Sequence, residues 1–221
     1  MRIRTLTTDY LESHCYIVIE NDHAIVIDPG DTDPVREALL EEAVTVDLGI
    51  VTHEHCDHIY GCTSIRDEFH CRVIACRKCD ENMRDSRRNS SRYFDAFVGV
   101  QTKISSDRLR SMPPFTTFAD DVFDGELTAE WMGHNLYIRE TPGHSQGSVC
   151  IILDNTIMFS GDTLLKDDDT ETKFSGGSEE QFQTVTMPWI RSLPSGLTVY
   201  PGHGENFILG ERLETLSRKE Q

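Results

Sequence analysis

The sequence predicts an α/β fold in a single domain, residues 1–221. Short runs rich in Ile and Val recur along the chain, and in both halves strands come first and then alternate with helical segments. A strand pattern at 47–52, a helix pattern at 63–70 and a strand pattern at 72–75 follow one another, an order that favours parallel pairing. No linker-like segment divides the chain, whose 221 residues suit one large domain.

The first half of the chain alternates apolar runs with turn residues. Asn21-Asp22 separates two runs and predicts a two-residue hairpin turn, and Asp28-Pro29-Gly30 ends the second run. Asp33 is the predicted N-cap of a short amphipathic helix. The predicted strands of this half are residues 15–20, 23–27, 47–52 and 72–75, and the predicted helices are residues 34–43 and 63–70. Residues 77–118 are polar and predict a solvated helical excursion.

The second half repeats the same style of pattern. Asp154-Asn155 predicts another short hairpin turn, and the polar, Gly-rich residues 166–178 predict a mobile loop. Residues 179–192 have helical spacing of apolar side chains, which Pro188 disturbs. The predicted strands of this half are residues 126–130, 136–141, 148–153, 156–159 and 197–200, and a terminal helix is predicted at 211–216.

Composition excludes several functions. A net charge of −17 argues against nucleic acid as a partner, because phosphate binding needs clustered Lys and Arg. No run approaches the roughly 20 apolar residues that span a bilayer, so we expect no membrane partner. The N-terminal residues lack the apolar core of a signal peptide, and seven cysteines are an odd number. Reduced thiols and a cytoplasmic protein are therefore expected.

The stretch Thr52-His53-Glu54-His55-Cys56-Asp57-His58 organises the chain. It contains three of the nine histidines and follows directly on a predicted strand. In an extended segment, positions 53, 55 and 57 would point to the same side, while position 58 points away or begins a new element. Imidazole and carboxylate are ligands that suit zinc, manganese and iron. The pattern predicts a metal site at this strand end.

Three further ligand-type residues follow strand patterns on Gly-containing turns. They are His144 after Pro142-Gly143, Asp162 after Ser160-Gly161 and His203 after Pro201-Gly202. Open α/β sheets place their sites at such strand ends. Each of these residues alone is weak evidence, since histidine has many structural roles. Four such strand ends together indicate one metal constellation.

With these segments in place, the chain resembles the metallo-β-lactamase superfamily over nearly its whole length. The matching segments are Ile27–Gly30, Thr52–His58, Pro142–Ser145, Ser160–Thr163 and Pro201–Gly204. Within the superfamily the chain is most similar to the glyoxalase II branch, to which Asn89-Ser90-Ser91 and Phe174–Ser178 add a likeness. The resemblance implies a four-layer αββα sandwich, with two mixed β-sheets flanked by helices.

The resemblance also implies a two-metal site. His53, His55 and His144 would hold one ion; Asp57, His58 and His203 would hold the other; Asp162 would bridge. Two divalent ions are expected, zinc first, with iron or manganese as alternatives. Asp57 and Asp162 would act in catalysis around a hydroxide shared by the metals. Asp28 would not bind metal but would hold the surrounding loops.

The implied reaction is hydrolysis of a thioester, because a hydroxide held by metals can attack an acyl carbonyl and a thiolate leaves readily. Two divalent ions and two carboxylates leave the site positive, which suits a small anionic acyl-thioester. A mononuclear iron persulfide dioxygenase is the alternative from another class, and lactonase or β-lactamase activity is a hydrolytic alternative. A homodimer is also left open.

Several features depart from glyoxalase II proper. The chain ends soon after His203, without room for that branch's C-terminal helical domain, and residues 166–171 replace its short basic motif. Tyr60 stands where that branch usually has glycine. We therefore expect glutathione thioesters to be poor substrates. The candidate substrate contacts are Tyr60, Asn89 and Lys166.

The remaining cysteines give a weaker signal. Cys76-Arg77-Lys78-Cys79 is a lone CxxC, with Cys71 upstream. Structural zinc wants four ligands, so neither a second zinc site nor a redox pair is expected here, although both stay open. Cys56 lies inside the metal motif and could be oxidised or bind metal if it faces the site.

Overall fold

The computed structural model describes residues 1–96 and 110–219. It contains two compact units, Met1–Phe123 and Asp124–Gln221. Each unit contains one six-stranded mixed β-sheet together with its helices. Of the polar excursion predicted at 77–118, residues 97–109 lie outside the described part of the chain.

The first unit contains a sheet whose strands are neighbours in chain order. Its strands are β1 (Arg2–Thr7), β2 (His14–Glu20), β3 (His23–Ile27), β4 (Thr45–Ile50), β5 (Arg72–Cys76) and β6 (Asp121–Phe123). The first three pair antiparallel and the last four pair parallel. Its helices are α1 (Asp33–Glu42), α2 (Cys56–Ile59), α3 (Cys62–Phe69) and α4 (Arg77–Met83), followed by a 3₁₀ turn at Ser91–Tyr93.

The centre of the first sheet is buried because both faces of β2 and β3 are apolar. Ile17, Ile25 and Ile27 are among the largest fully buried side chains. Helix α3 packs on β4 and β5, and Gly49 permits this approach, since a Cβ at that position would lie 2.8 Å from Ile65 Cδ1. Parallel strands joined through helices carry their carboxyl ends to the same edge, where the β4 ligand segment emerges.

The second unit contains a sheet in the order β12-β11-β10-β9-β8-β7. Its strands are β7 (Glu126–Trp131), β8 (His134–Glu140), β9 (Val149–Leu153), β10 (Ile157–Gly161), β11 (Thr198–Pro201) and β12 (Phe207–Ile208). Only β10 and β11 pair parallel, and the other pairs are antiparallel. Its helices are α5 (Glu179–Gln181), a π-helical segment (Phe182–Thr186), α6 (Met187–Ser192) and α7 (Leu209–Lys219).

The helices of the second unit cover an apolar cluster built on its central strands. The cluster contains Cys150, Ile152, Met158, Leu164, Phe182, Met187, Ile190, Leu197, Val199, Phe207 and Leu209. The predicted helix at 179–192 is therefore present, but its middle winds as a π-helix before Pro188, which lies in the first turn of α6. Proline is tolerated there because the first turn has no intrahelical acceptor for its missing N–H.

The fold class predicted from the sequence is confirmed: two mixed sheets flanked by helices. Strands β1, β6 and β12 and helix α2 were not predicted, whereas helix α4 falls within the helical excursion predicted at 77–118. Strand β1 carries Arg2 and Arg4 on a half-exposed edge, β12 has two residues and α2 is a single turn. Elements this short or this polar carry little periodic signal. Within the described residues, no helix combines the length and apolarity that crossing a bilayer requires.

Candidate metal centre

In the first unit, the histidine-rich stretch connects β4 to α2. His55 has extended backbone angles (φ −63°, ψ 142°) and is the N-cap of α2, so the helix begins at Cys56. The extended alternation expected across positions 53, 55 and 57 is therefore wrong at Asp57, which lies on the helix beside His58. The turn of the helix brings Asp57 Oδ2 to 3.4 Å from His58 Nε2.

The four ligand-type residues of this stretch lie close together and are shielded from solvent. The ring centroids of His53 and His58 are 4.2 Å apart, and those of His53 and His55 are 4.7 Å apart. His58 is fully buried and Asp57 is 5% exposed. Burying so many ionisable groups is unfavourable unless they are paired or bind a cation.

Asp28 follows directly after β3 and hydrogen-bonds to Thr52 and His58 in this stretch. Its carboxylate accepts hydrogen bonds from the Thr52 amide (2.6 Å), the Thr52 hydroxyl (2.6 Å) and His58 Nδ1 (3.1 Å). Ligand-type atoms of Asp28, His53 and His58 lie within 4.8 Å of one another. Because its oxygens already accept three hydrogen bonds, we assign Asp28 to holding His58 rather than to binding metal, as expected from the sequence.

These contacts identify the protonated nitrogen of two imidazoles. The Thr52 hydroxyl donates to Asp28, so at 3.1 Å from His53 Nδ1 it must accept the imidazole proton. His58 Nδ1 likewise donates to Asp28. In the neutral form of each ring, Nε2 therefore carries the lone pair.

A close backbone packing fixes the start of α2. A Cβ on Gly30 would lie 1.9 Å from the carbonyl oxygen of Asp57, so only glycine fits there. Ser13 donates its hydroxyl to the same carbonyl at 2.8 Å. The Asp-Pro-Gly turn after β3 thus positions the Asp57 backbone as well as the His58 ring.

In the second unit, three predicted ligands converge from separate strand ends. His144 follows the β8–β9 connection's Pro-Gly turn, Asp162 follows β10 and His203 follows β11. His144 Nε2 lies 3.6 Å from Asp162 Oδ2, and His203 Nε2 lies 3.5 Å from the same oxygen. One carboxylate oxygen thus lies within 3.6 Å of two imidazole nitrogens.

The loop between Asp162 and α5 holds the His144 ring. The backbone carbonyl of Glu171 accepts a hydrogen bond from His144 Nδ1 at 2.8 Å, which leaves Nε2 with the lone pair. The loop is fastened by Thr170, whose hydroxyl donates to Thr163 O at 2.9 Å, and by Thr172, whose hydroxyl donates to Glu179 at 2.7 Å. The predicted mobile loop is therefore tied down at several points.

Arg212 on α7 anchors the loop between Asp162 and α5. It is 4% exposed, and its Nη2 donates to Asp168 O at 2.7 Å and to Asp169 Oδ1 at 3.3 Å. This residue was not predicted, although a signal existed: Arg212 falls on the apolar stripe of the terminal helix, between Leu209 and Leu216. The sequence carries no comparable indication for Glu171, because its backbone carbonyl, rather than its side chain, contacts His144.

The donor set in both units fits a divalent metal. In each unit an imidazole Nε2 lone pair faces a carboxylate oxygen at 3.4–3.6 Å, His58 with Asp57 and His144 with Asp162. Two acceptors at this distance repel each other unless a proton or a cation lies between them. Nitrogen and oxygen donors of this kind suit zinc, iron or manganese.

The three candidate substrate contacts have different surroundings. Tyr60 is half-buried and its ring packs edge-on against Tyr10 (5.2 Å) and Phe115 (5.0 Å). Lys166 is half-exposed and pairs with Glu205 at 2.5 Å. Asn89 is fully buried, and its amide donates to Phe115 O at 3.0 Å. The Asn89 side chain is thus occupied in holding its own loop.

All seven cysteines are buried free thiols. Cys56 packs in an apolar cluster with Tyr10, Phe94 and Met112, and burial raises its pKa well above the usual value. Burial likewise raises the pKa of Cys71 to about 11 and that of Cys79 well above its usual value. These thiols are protonated at neutral pH, and a thiolate is the form that binds metal or reacts.

The class of protein follows from comparison as well as from this geometry. A family model of the metallo-beta-lactamase superfamily matches residues 8–203, and the chain belongs to that superfamily. It fits the glyoxalase II-like branch: a hydroxyacylglutathione hydrolase of Psychromonas ingrahamii is 28% identical over 199 residues, 88% of this chain and 63% of that protein. A probable metallo-hydrolase, YqgX of Bacillus subtilis, is 25% identical over 215 residues, 96% of this chain and 95% of that protein.

Solved structures share the fold at lower sequence identity. The B3 metallo-beta-lactamase BLEG-1 superposes with a TM-score of 0.79 at 24% identity, covering 96% of this chain and 97% of its own. TTHA1623 in a di-iron-bound form superposes with a TM-score of 0.76 at 21% identity, covering 96% and 98%. The chain is a member of a metallo-hydrolase superfamily and carries clustered His and Asp ligands.

Proposed function

We propose that this protein is a hydrolase with a two-metal centre and that its substrate is a thioester. The proposal is supported by family membership and by one observation above all: each unit presents imidazole lone pairs against a carboxylate oxygen. The proposed ligands are His53, His55 and His144 for one ion and Asp57, His58 and His203 for the other, with Asp162 shared. The solved relative in a di-iron-bound form supports two ions rather than one.

When bound, two divalent cations lower the pKa of water and polarise an acyl carbonyl. The residues of the chain contribute orientation. Asp57 accepts a hydrogen bond from the attacking water and directs its lone pair at the carbonyl carbon. Asp28, through His58, and the Glu171 carbonyl, through His144, keep the imidazole lone pairs directed inward. A thiolate leaves without protonation, so no general acid is required at the leaving sulfur.

A thioester is proposed over other acyl substrates because the likeness to hydroxyacylglutathione hydrolase extends over 88% of this chain. Tyr60 and Lys166 are the proposed substrate contacts, since both keep exposed surface. Asn89 would act only through the loop that it holds. Proposed metals are zinc first, then iron or manganese.

Metal content and hydrolysis together test the proposal. Protein expressed with added zinc, iron or manganese should contain close to two equivalents by elemental analysis and should cleave at least one member of a panel of acyl thioesters. Asp162→Asn should lose metal and at least about 10³-fold in kcat, an effect of the size expected for a central charged group. Asp154→Asn, in the turn that precedes β10, is the matched control and should keep both metal content and turnover.

Three results would contradict parts of the proposal. A single iron per chain with oxygen consumption on a persulfide would indicate the dioxygenase instead. Two metals without thioester cleavage, but with opening of a lactone or a β-lactam, would keep the metal centre and replace the substrate. Undiminished metal content and turnover in Asp162→Asn would remove that residue from the ligand set.

A further inference from the structure

Arginines on this acidic protein are mostly paired with carboxylates. The arginines with an ion pair are Arg2, Arg4, Arg36, Arg66, Arg72, Arg84, Arg110, Arg139, Arg212 and Arg218. Arg87, Arg88 and Arg92 are exposed, and none of them has an ion pair in the part of the chain that the structure describes. Three unpaired guanidinium groups within six residues contrast with a net charge of −17.

The carboxylates near this segment are already occupied. Asp80 accepts both a bidentate contact from Arg84 (2.9 and 2.9 Å) and the Ala119 amide (2.8 Å). Asp85 accepts the backbone amide of Arg87 at 2.9 Å. Asp95 accepts the Ser111 hydroxyl at 2.7 Å. Local acids therefore stabilise the backbone, and the three guanidinium groups keep their charge available.

The segment that carries the arginines is pinned from inside. Asn89 donates to Met83 O at 3.3 Å and to Phe115 O at 3.0 Å, and its own oxygen accepts the Ser91 amide at 2.9 Å. The Ser91 hydroxyl donates to Phe115 O at 3.1 Å. The buried polar side chains fix the turn, and the long arginine side chains project from it into solvent. Preorganised cations lose less entropy when they bind a ligand.

This segment is joined to the metal-ligand stretch of the same unit. Arg88 Nη1 lies 3.5 Å from Asn82 Oδ1, and Asn82 Nδ2 donates to Glu54 Oε1 at 2.7 Å. Glu54 lies between the ligands His53 and His55 in the sequence and is 1% exposed. Two contacts thus separate an unpaired guanidinium from the stretch that carries the proposed metal ligands.

We propose that Arg87, Arg88 and Arg92 form an anion-binding surface for the phosphate groups of the thiol carrier in the substrate, an inference that rests on the proposed thioester hydrolysis. Guanidinium groups bind phosphate through paired N–H donors, and phosphate offers more charge and more acceptors than a carboxylate. Glutathione carries two carboxylates and one ammonium, a poor match for three cations. A diphosphate-bearing carrier matches their number, and a positive patch on an acidic surface steers it to the site.

A charge-matched pair of variants tests this surface. The triple variant Arg87→Gln, Arg88→Gln, Arg92→Gln removes the three unpaired cations. The control Arg36→Gln, Arg139→Gln, Arg218→Gln removes three partly or fully exposed arginines that form ion pairs elsewhere on the protein. Both variants have the same net charge, so a difference in their kinetics arises from where the removed arginines lie. Substrates are coenzyme A thioesters, the same acyl groups on uncharged N-acetylcysteamine, and lactoylglutathione.

For the coenzyme A thioester we expect the triple variant to lose at least about 30-fold in kcat/KM, mainly through KM, as expected for lost charge-assisted hydrogen bonds. Hydrolysis of the N-acetylcysteamine thioester should change less than about twofold in both variants. The salt dependence of kcat/KM should flatten in the triple variant alone, because screening acts on these charges. Equal losses in the triple variant and the control, or a loss confined to lactoylglutathione, overturn the proposal.

Direct binding separates this surface from the chemistry. Calorimetric titration with pyrophosphate and with coenzyme A should show binding to the wild type and the control that the triple variant weakens at least about tenfold. Retained binding in a protein that cleaves no thioester would leave the surface standing and reject the proposed function. If the protein cleaves thioesters but the triple variant binds pyrophosphate and coenzyme A as the wild type does, the proposed function stands and the anion-binding surface is rejected.

Discussion

At the scale of single residues, hydrogen bonds at Nδ1 decide what the histidines can do. His53, His58 and His144 each donate from Nδ1 to a hydroxyl, a carboxylate or a backbone carbonyl. In the neutral form of each ring, Nε2 is then the acceptor nitrogen. Partners of this kind raise the basicity of a metal ligand and fix its ring. The orientation of these three rings thus depends on Thr52, Asp28 and the Glu171 backbone.

Asp28→Asn should weaken metal binding about 10- to 100-fold, the usual effect of removing a partner of a metal-binding histidine. Its left-handed backbone (φ 50°) accepts asparagine, so the substitution should not disturb the turn. Competition with a chromogenic chelator measures the affinity. Asp47→Asn, whose carboxylate contacts His23 instead, is the control and should bind metal as the wild type does. Equal affinities in both variants would show that Asp28 does not support the ligands.

At the scale of elements, α7 supports the loop that holds His144. Arg212 is buried beneath the loop, whereas Arg218 on the same helix forms only an exposed pair with Glu214 at 3.7 Å. Both arginines lie on α7, but they differ in burial and in the number of hydrogen bonds that they form. They offer a comparison of an anchoring arginine with a solvated one.

Arg212→Ala should lower the free energy of unfolding by about 2–4 kcal/mol, because it removes charged hydrogen bonds and buried packing. Arg218→Ala should change it by less than about 0.5 kcal/mol, as exposed i,i+4 pairs contribute little. Urea denaturation measures both. A conservative Arg212→Lys variant should recover part of the loss, since one donor to Asp168 O can be restored. Equal stability of Arg212→Ala and Arg218→Ala would contradict the anchoring role.

The parallel pair β3–β4 contains a pH-dependent contact. His23 at the start of β3 bonds Asp47 on β4 at 2.9 Å, and this hydrogen bond raises the His23 pKa above its ordinary value of 6.5. A raised histidine pKa stabilises the fold in the protonated state. The contribution is fully present below pH 6.5 and disappears as the pH rises through the folded pKa.

His23→Gln should therefore destabilise the protein more at pH 5.5 than at pH 8.5. The comparison of wild type with variant at each pH cancels the titration of the other histidines. Urea denaturation at the two pH values gives the difference in unfolding free energy. Asp47→Asn should show the same pH dependence, because it removes the same contact. A wild-type–variant difference that is constant with pH, or that grows at high pH, would disprove this assignment.

At the scale of the whole molecule, a bound cation should stabilise the fold, because buried imidazole and carboxylate groups lie 3.4–3.6 Å apart in each unit. Chelator treatment should lower Tm, and restoring zinc should raise it again. With free metal at about 1,000 times Kd, binding adds about 4 kcal/mol to the free energy of unfolding. Differential scanning calorimetry measures the shift. The Asp162→Asn variant should respond less, and an unchanged Tm in the chelated wild type would contradict metal binding by the native state.

The sequence predicted the central elements well, because their signals are local. The strands beginning at His23, Arg72 and Glu126 start where the apolar runs predict them, and the Asn21-Asp22 turn is present. Helix α1 begins one residue before the predicted range, with Thr32 rather than Asp33 as N-cap. Edge elements were missed, since β6 and β12 are three and two residues long and depend on their neighbours for definition.

The features of the candidate site also divide into those that the sequence predicts and those that only the structure shows. Clustered imidazoles and carboxylates on Gly-containing turns are visible in the sequence, and so is the superfamily. Three features are visible only in the tertiary structure: Asp57 lies on a helix, the Asn89 amide is hydrogen-bonded within its own loop, and the Cys56 side chain packs in an apolar cluster. The same holds for the contact of the Glu171 carbonyl, the burial of Arg212 and, among the residues that the structure describes, the lack of ion pairs at Arg87, Arg88 and Arg92. These depend on partners distant in the chain, whereas residue type and spacing specify which ligands are available.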